Sequence, residues 1–149
     1  MTLTLQLDSY AYEIYWQFTN SAGEVIAYGG NEVVGSDGGG LRVATQNDPG
    51  AYSSGALITE EIVIPDGVDD CYTFLLVDDY GDGMVDGGGG YFSIENSGNE
   101  IVVAQDLTLS RGEDLVIIDQ KLPMFIGQIL LRNYVTDPQI CFAGIGDAT

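Results

Sequence analysis

Within the first eighteen residues, apolar side chains recur at every second position: Leu3, Leu5 and Leu7, then Ile14, Trp16 and Phe18, with Thr, Gln and Tyr between them. A two-residue period sends the apolar set to one face of a pleated strand and the polar set to the other. Each run therefore needs a second layer to cover it, and long amphipathic helices are hard to find elsewhere. Twenty-one glycines against four prolines, with Tyr, Val, Ile and Thr in short runs, favour many short strands joined by tight turns.

Asp8-Ser9 reads as the turn between the first two strands. Ser21-Ala22-Gly23 turns the chain into a third strand over 24–28 that Gly29-Gly30 closes, a hairpin signal. Residues 35–55 are rich in Gly, Ser, Asn and Asp, with strand character only at 41–44, and read as a long irregular surface segment of the kind that carries binding function. Strand character resumes at 57–64, ends at Pro65-Asp66-Gly67, and returns at 71–77 as an apolar run fit for a central strand. Further strands are expected at 91–95, 101–104, 107–109 and 115–118. About eight to ten strands suffice for two packed sheets, so the expectation is an all-β chain, one β-sandwich domain over residues 1–149, with the jelly roll among its open topologies.

The tail at 122–135 is apolar with little alternation. It reads as a final core strand or, more sharply, as a strand that docks on another copy of the chain, because an extended apolar segment can complete a sheet that lacks an edge partner. The leading strand, residues 1–7, is an equally good donor. Met1 runs directly into that strand rather than into a leader, so the sequence is expected to be a cytosolic chain or a mature form or fragment.

Twenty-three acidic residues against four basic ones give a net charge of -19. Such a field repels phosphate backbones and anionic headgroups, which argues against nucleic acid and bare membrane as partners, and it attracts divalent cations. Solubility explains the bulk charge equally well but not its clustering. No run approaches the ~18 uninterrupted apolar residues of a membrane span. Cys71 and Cys141 permit one disulfide closing a long loop, with two free buried thiols as the alternative.

The densest cluster is the stretch from Asp78 to Asp86, where Asp78, Asp79, Asp82 and Asp86 are interleaved with Gly81 and Gly83. Calcium needs several oxygen ligands at short spacing on a backbone able to turn inward, which this stretch offers, although its spacing is not that of an EF-hand. A solvated acidic turn and a magnesium site are the competing readings. Asp8 and Glu13 join the ligand set if the first hairpin lies beside the loop. A second cluster, Asp66, Asp69 and Asp70, reads as a solvated turn.

Catalysis has little support. The absence of histidine excludes Ser-His and Cys-His pairs and imidazole-based zinc sites, no phosphate loop is present, and no spacing positions a carboxylate pair, so the chain is expected not to be an enzyme. Exposed aromatics remain, since Tyr and Trp stack on sugar rings and anchor interfaces. Tyr52, Tyr80 and Tyr91, in or beside glycine-rich segments, form the candidate ligand face; Tyr10, Tyr12 and Tyr15 cluster around Trp16, whose default role is core packing.

Two segments resemble a module repeated in secreted proteins of bacteria and algae. Residues 5–30, with Leu7-Asp8-Ser9-Tyr10, Trp16, Asn20-Ser21-Ala22-Gly23 and Ala27-Tyr28-Gly29-Gly30, look like its first half. Pro65-Asp66-Gly67, Cys71-Tyr72-Thr73-Phe74 and Asp78-Asp79-Tyr80-Gly81-Asp82-Gly83 look like its second, a Cys-Tyr-Thr-Phe strand running into an Asp-x-Tyr-Gly-Asp-Gly loop. The match covers about residues 3–104 and lacks the cysteines that commonly follow the loop, where Val85 and Asp86 stand; the insert at 35–55 and the extension from about 111 lie outside the pattern. The resemblance implies a secreted β-sandwich, an accessory or adhesive part of larger proteins, and supports both the disulfide and the cation loop. Together these readings lead to an extracellular or cell-surface structural subunit, a homopolymer joined by strand donation and stabilised by Ca2+, with a carbohydrate-binding or adhesive module as the alternative.

Overall fold

A computed structural model describes residues 1–39, 41–63, 70–84, 89–95, 101–106, 130–132, 135–137 and 139–142. The expected strands at 107–109 and 115–118, the tail at 122–129, and Asp66, Asp69 and Asp86 lie outside them. Among the described residues the chain is all-β, with one short 3-10 turn at Ala11–Glu13 and no α-helix.

Two antiparallel sheets carry the described strands. In the first, β1 (Thr2–Gln6) lies between β4 (Leu57–Glu61) and β6 (Tyr91–Glu95), and β7 (Ile101–Asp106) pairs with β6. The second contains β2 (Ile14–Thr19), β3 (Val25–Gly30), β5 (Asp70–Asp78), β8 (Leu130–Arg132), β9 (Val135–Asp137) and β10 (Gln139–Phe142). Its path runs β3-β2-β5-β9-β8, with β10 pairing β5 at the Asp70 end. The hairpin expected after Trp16 is the β2–β3 pair, and the apolar run at 71–77 is the inner strand β5. β1 and β2, however, form no hairpin: Asp8-Ser9 and the 3-10 turn carry the chain from one sheet to the other.

The two-residue period does what it predicts. Leu3, Leu5 and Leu7 are at most 2 % exposed, and they share one apolar cluster with Trp16, Phe18, Phe74 and Phe92. Phe74 of one sheet meets Phe92 of the other at 5.2 Å between ring centroids and Phe18 of its own sheet at 5.1 Å. Alternation is incomplete in β2 because Tyr15, on the opposite face, is also buried, packed with Val77 beneath Val34. The irregular segment after β3 is therefore a cover for the outer face of the second sheet.

That segment is tied down at several points. Asn31, fully buried, donates its amide to the Tyr12 carbonyl at 2.7 Å and to Asp48 at 3.0 Å, Glu32 N–H donates to the Pro49 carbonyl at 2.9 Å, and Gly55 N–H donates to the Asp8 carbonyl at 2.7 Å. The Trp16 indole N–H donates to the Tyr52 hydroxyl at 3.0 Å. Gly29 and Gly30 continue β3 rather than end it. A Cβ at Gly29 would sit 2.7 Å from the Tyr52 hydroxyl and crowd the Trp16 indole, whereas Gly30, at φ +91° against the Ile14 carbonyl, is a position that requires glycine. Residues 41–44, read as strand-like, form no strand: Arg42 takes φ 57°, and the Asp79 carboxylate holds the backbone N–H groups of 42–44.

Candidate metal centre

The register of two strands builds the site. β2 and β5 pair with Ile14 opposite Asp78, and the Asp79 N–H donates to the Glu13 carbonyl at 3.0 Å. Glu13 ends the 3-10 turn just before β2, and Asp78 ends β5. The antiparallel pair therefore sets Glu13 beside the loop that follows β5. One carboxylate oxygen from each of Glu13, Asp78 and Asp82 lies within 4.8 Å of the others.

Within the loop, Asp78 accepts the N–H of Tyr80 at 3.0 Å and of Gly83 at 2.7 Å, while Gly81 and Gly83 take φ +77° and +80°. These bonds are turn-forming on their own account. What a turn alone does not require is the gathering of three carboxylates. Burial pushes the Glu13 carboxyl up to about 7, with Asp78 and Asp82 adding to the rise and a hydrogen bond from the Tyr12 hydroxyl opposing it. Burial likewise pushes Asp78 up to about 6, opposed by the N–H groups of Gly83, Gly81 and Tyr80 and reinforced by Asp82. Desolvation and mutual repulsion thus favour the protonated forms of Glu13 and Asp78, a strain that a bound cation relieves. The donor set is entirely hard oxygen. Such a set could hold a hard cation and is not by itself specific to calcium.

The residues proposed from sequence divide. Asp78 and Asp82 meet in the cluster, and Glu13 joins them. Asp79 points elsewhere: it is 1 % exposed, and its carboxylate accepts the backbone N–H of Arg42 at 3.1 Å, Val43 at 2.6 Å and Ala44 at 2.8 Å. It clamps the covering segment to the loop. Asp8 is buried, accepts the Tyr10 N–H at 2.8 Å, and adds to the negative field at Glu13 without belonging to the cluster of three. The β5–β10 register places Cys141 opposite Cys71.

Beside the cluster lies a cavity of about 390 Å³ whose walls include Tyr10, Tyr12, Glu13, Arg42, Tyr80 and Asp82. Tyr10 and Tyr12 meet edge to face at 6.1 Å, and the Arg42 guanidinium lies 4.1 Å above the Tyr80 ring. Of the three tyrosines proposed as a ligand face, Tyr80 lines this cavity. Tyr52 packs on Trp16, and Tyr91 is exposed on β6. Sequence reasoning left Tyr10 and Tyr12 unassigned and gave Arg42 no role. The available signal was Arg42 itself, one of four cations in an acidic chain. No protein-family model, curated protein or solved structure matches the chain.

Proposed function

We propose that this chain is a non-catalytic, calcium-stabilised β-sandwich module of the extracellular space or cell surface, and that it serves as a structural subunit of a homopolymer. The observation that carries the proposal is the convergence of Glu13, which is buried, with half-buried Asp78 and Asp82 within 4.8 Å, in a chain of net charge -19. Copies so acidic repel one another, and a cation bound at each lowers that cost. The shared apolar cluster of the two sheets supports the sandwich, and the resemblance to secreted modules supports the location. The register of Cys71 and Cys141 suits a disulfide, because opposed residues of antiparallel strands lie about 4.5–5.5 Å apart at Cα, within the range that bridge tolerates.

Outer strands are the natural joints between copies. β3 carries exposed Val25, Ile26 and Tyr28, and β4 carries exposed Leu57; an apolar outer strand with unpaired main-chain groups is a template for another strand. Residues 1–7 are the weaker donor, since β1 fills the middle of its own sheet with Leu3, Leu5 and Leu7 buried. Residues 122–135 are the stronger candidate, since 130–132 form β8, the last strand on its side of the second sheet among the described residues. Negative-stain microscopy of native material, beside size-exclusion chromatography with calcium and then chelator, tests this reading. Filaments that loosen on chelation support it, and a monomer at high concentration with calcium present refutes it.

The tyrosine-walled cavity favours a second reading, a carbohydrate-binding or adhesive module.

A further inference from the structure

We propose that the cavity walled by Tyr10, Tyr12, Tyr80 and Arg42 binds a neutral saccharide whose vicinal diol completes the coordination of a calcium ion held by Glu13, Asp78 and Asp82. The inference rests on the cation reading above and adds the ligand class.

The size is right: about 390 Å³ lies within the ~300–1,000 Å³ of small-ligand pockets. Calcium takes six to eight oxygens. Three carboxylates binding through one oxygen each leave positions open, and Glu13 and Asp82 are both candidate ligands and cavity walls, so a molecule in the cavity has access to an ion held there. Adjacent hydroxyls of a sugar ring can replace two waters there without adding charge.

The remaining walls match the other half of such a ligand. Tyrosine rings offer flat apolar surface to the C–H face of a pyranose, and their hydroxyls, with the Arg42 N–H groups, supply donors and acceptors for ring hydroxyls. Arg42 is pre-positioned, its guanidinium above Tyr80 and its backbone N–H, at φ +57°, bound by Asp79, so little side-chain freedom is lost on binding. Charge then selects. The net charge of -19 disfavours uronates, phosphates and sulfated sugars, whereas a neutral diol avoids that repulsion.

The test uses the intact chain, first titrated with calcium by calorimetry, then probed by saturation-transfer NMR and calorimetry with methyl α-mannopyranoside, methyl β-galactopyranoside and galacturonate. At least one neutral glycoside is expected to bind the calcium-loaded protein and to lose about tenfold or more in affinity in EGTA. Tyr10→Ala is expected to weaken it about threefold to tenfold. Binding that is unchanged in EGTA, a preference for galacturonate, or a calcium-loaded protein that ignores both neutral glycosides overturns the saccharide proposal and leaves the cation site standing. A chain that takes up no calcium overturns the cation reading and this inference with it.

Discussion

Replacing Asp79 with alanine separates a clamp from a metal ligand. Its carboxylate accepts three backbone N–H groups from residues 42–44 at 2.6–3.1 Å while the side chain is 1 % exposed. A hydrogen bond to a charged group is worth about 1.5–3 kcal/mol, but three bonds to one carboxylate do not add independently. The freed N–H groups also belong to an exposed segment, Leu41 being 64 % and Val43 49 % exposed, where water can rehydrate them once the segment lifts. The expected loss is therefore about 2–4 kcal/mol rather than the full sum. Asp79→Asn should cost about 2 kcal/mol, because one oxygen survives but the amide turns donors toward donors. Urea unfolding in calcium-free buffer measures both, and hydrogen exchange at the amides of 42–44 reports the clamp directly. Metal-free stability within about 0.5 kcal/mol of the parent, with unchanged protection at 42–44, would show that Asp79 is no clamp and leave metal ligation as its role.

Other outcomes follow from the same geometry. In the metal-free protein Glu13 and Asp78 titrate near 7 and 6, above their unfolded values of about 4.3 and 3.9. The folded state thus holds protons more tightly, and the stability these groups contribute is present at low pH and lost as pH rises from about 4 through 7; urea unfolding at pH 5 and pH 8 in chelator should show the decline. Calcium competes with those protons, so its affinity should rise over pH 5.5 to about 7.5, and calorimetry in two buffers of different ionisation enthalpy should reveal proton release. Gly29→Ala should cost about 1–3 kcal/mol by driving a methyl into the Trp16–Tyr52 hydrogen bond, read as a lower unfolding midpoint; an unchanged midpoint contradicts the close approach. Mass spectrometry with and without reductant should show two hydrogens' difference for a Cys71–Cys141 bridge closing a loop of about 70 residues, and its loss should cost about 4 kcal/mol.

Much of the fold was legible because period-two alternation is a local signal. Leu3, Leu5, Leu7, Trp16 and Phe18 announce a buried face before any contact is known, and the β2–β3 hairpin follows from its turn residues. What stayed hidden depends on register and on long-range hydrogen bonds. The first two strands look like a hairpin when read along the chain, yet the 3-10 turn at Ala11–Glu13 sends them to different sheets. Asp78 and Asp79 are indistinguishable by composition. Because the segment at 41–44 lies over the outer face, the second becomes an acceptor for distant backbone while the first stays with Asp82. Glu13 is 65 residues from Asp78, and only the Ile14–Asp78 pairing brings them together. Arg42 and Tyr80 meet because the Asp79 carboxylate holds the backbone of 42–44 beside the loop, a contact between a segment read as strand-like and a turn 35 residues further on.

The central claim is that Glu13, Asp78 and Asp82 hold calcium. Calorimetric titration of the parent chain, Glu13→Gln and Asp82→Asn with calcium at pH 7.5, each paired with thermal unfolding, tests it most directly. The expected result is binding at the loop site in the parent, a rise in unfolding temperature of about 5–10 °C at a hundredfold excess over Kd, and at least about a tenfold loss of affinity in either variant. A parent chain that gives no heat and no shift in unfolding temperature, or variants that bind as the parent does, would contradict it.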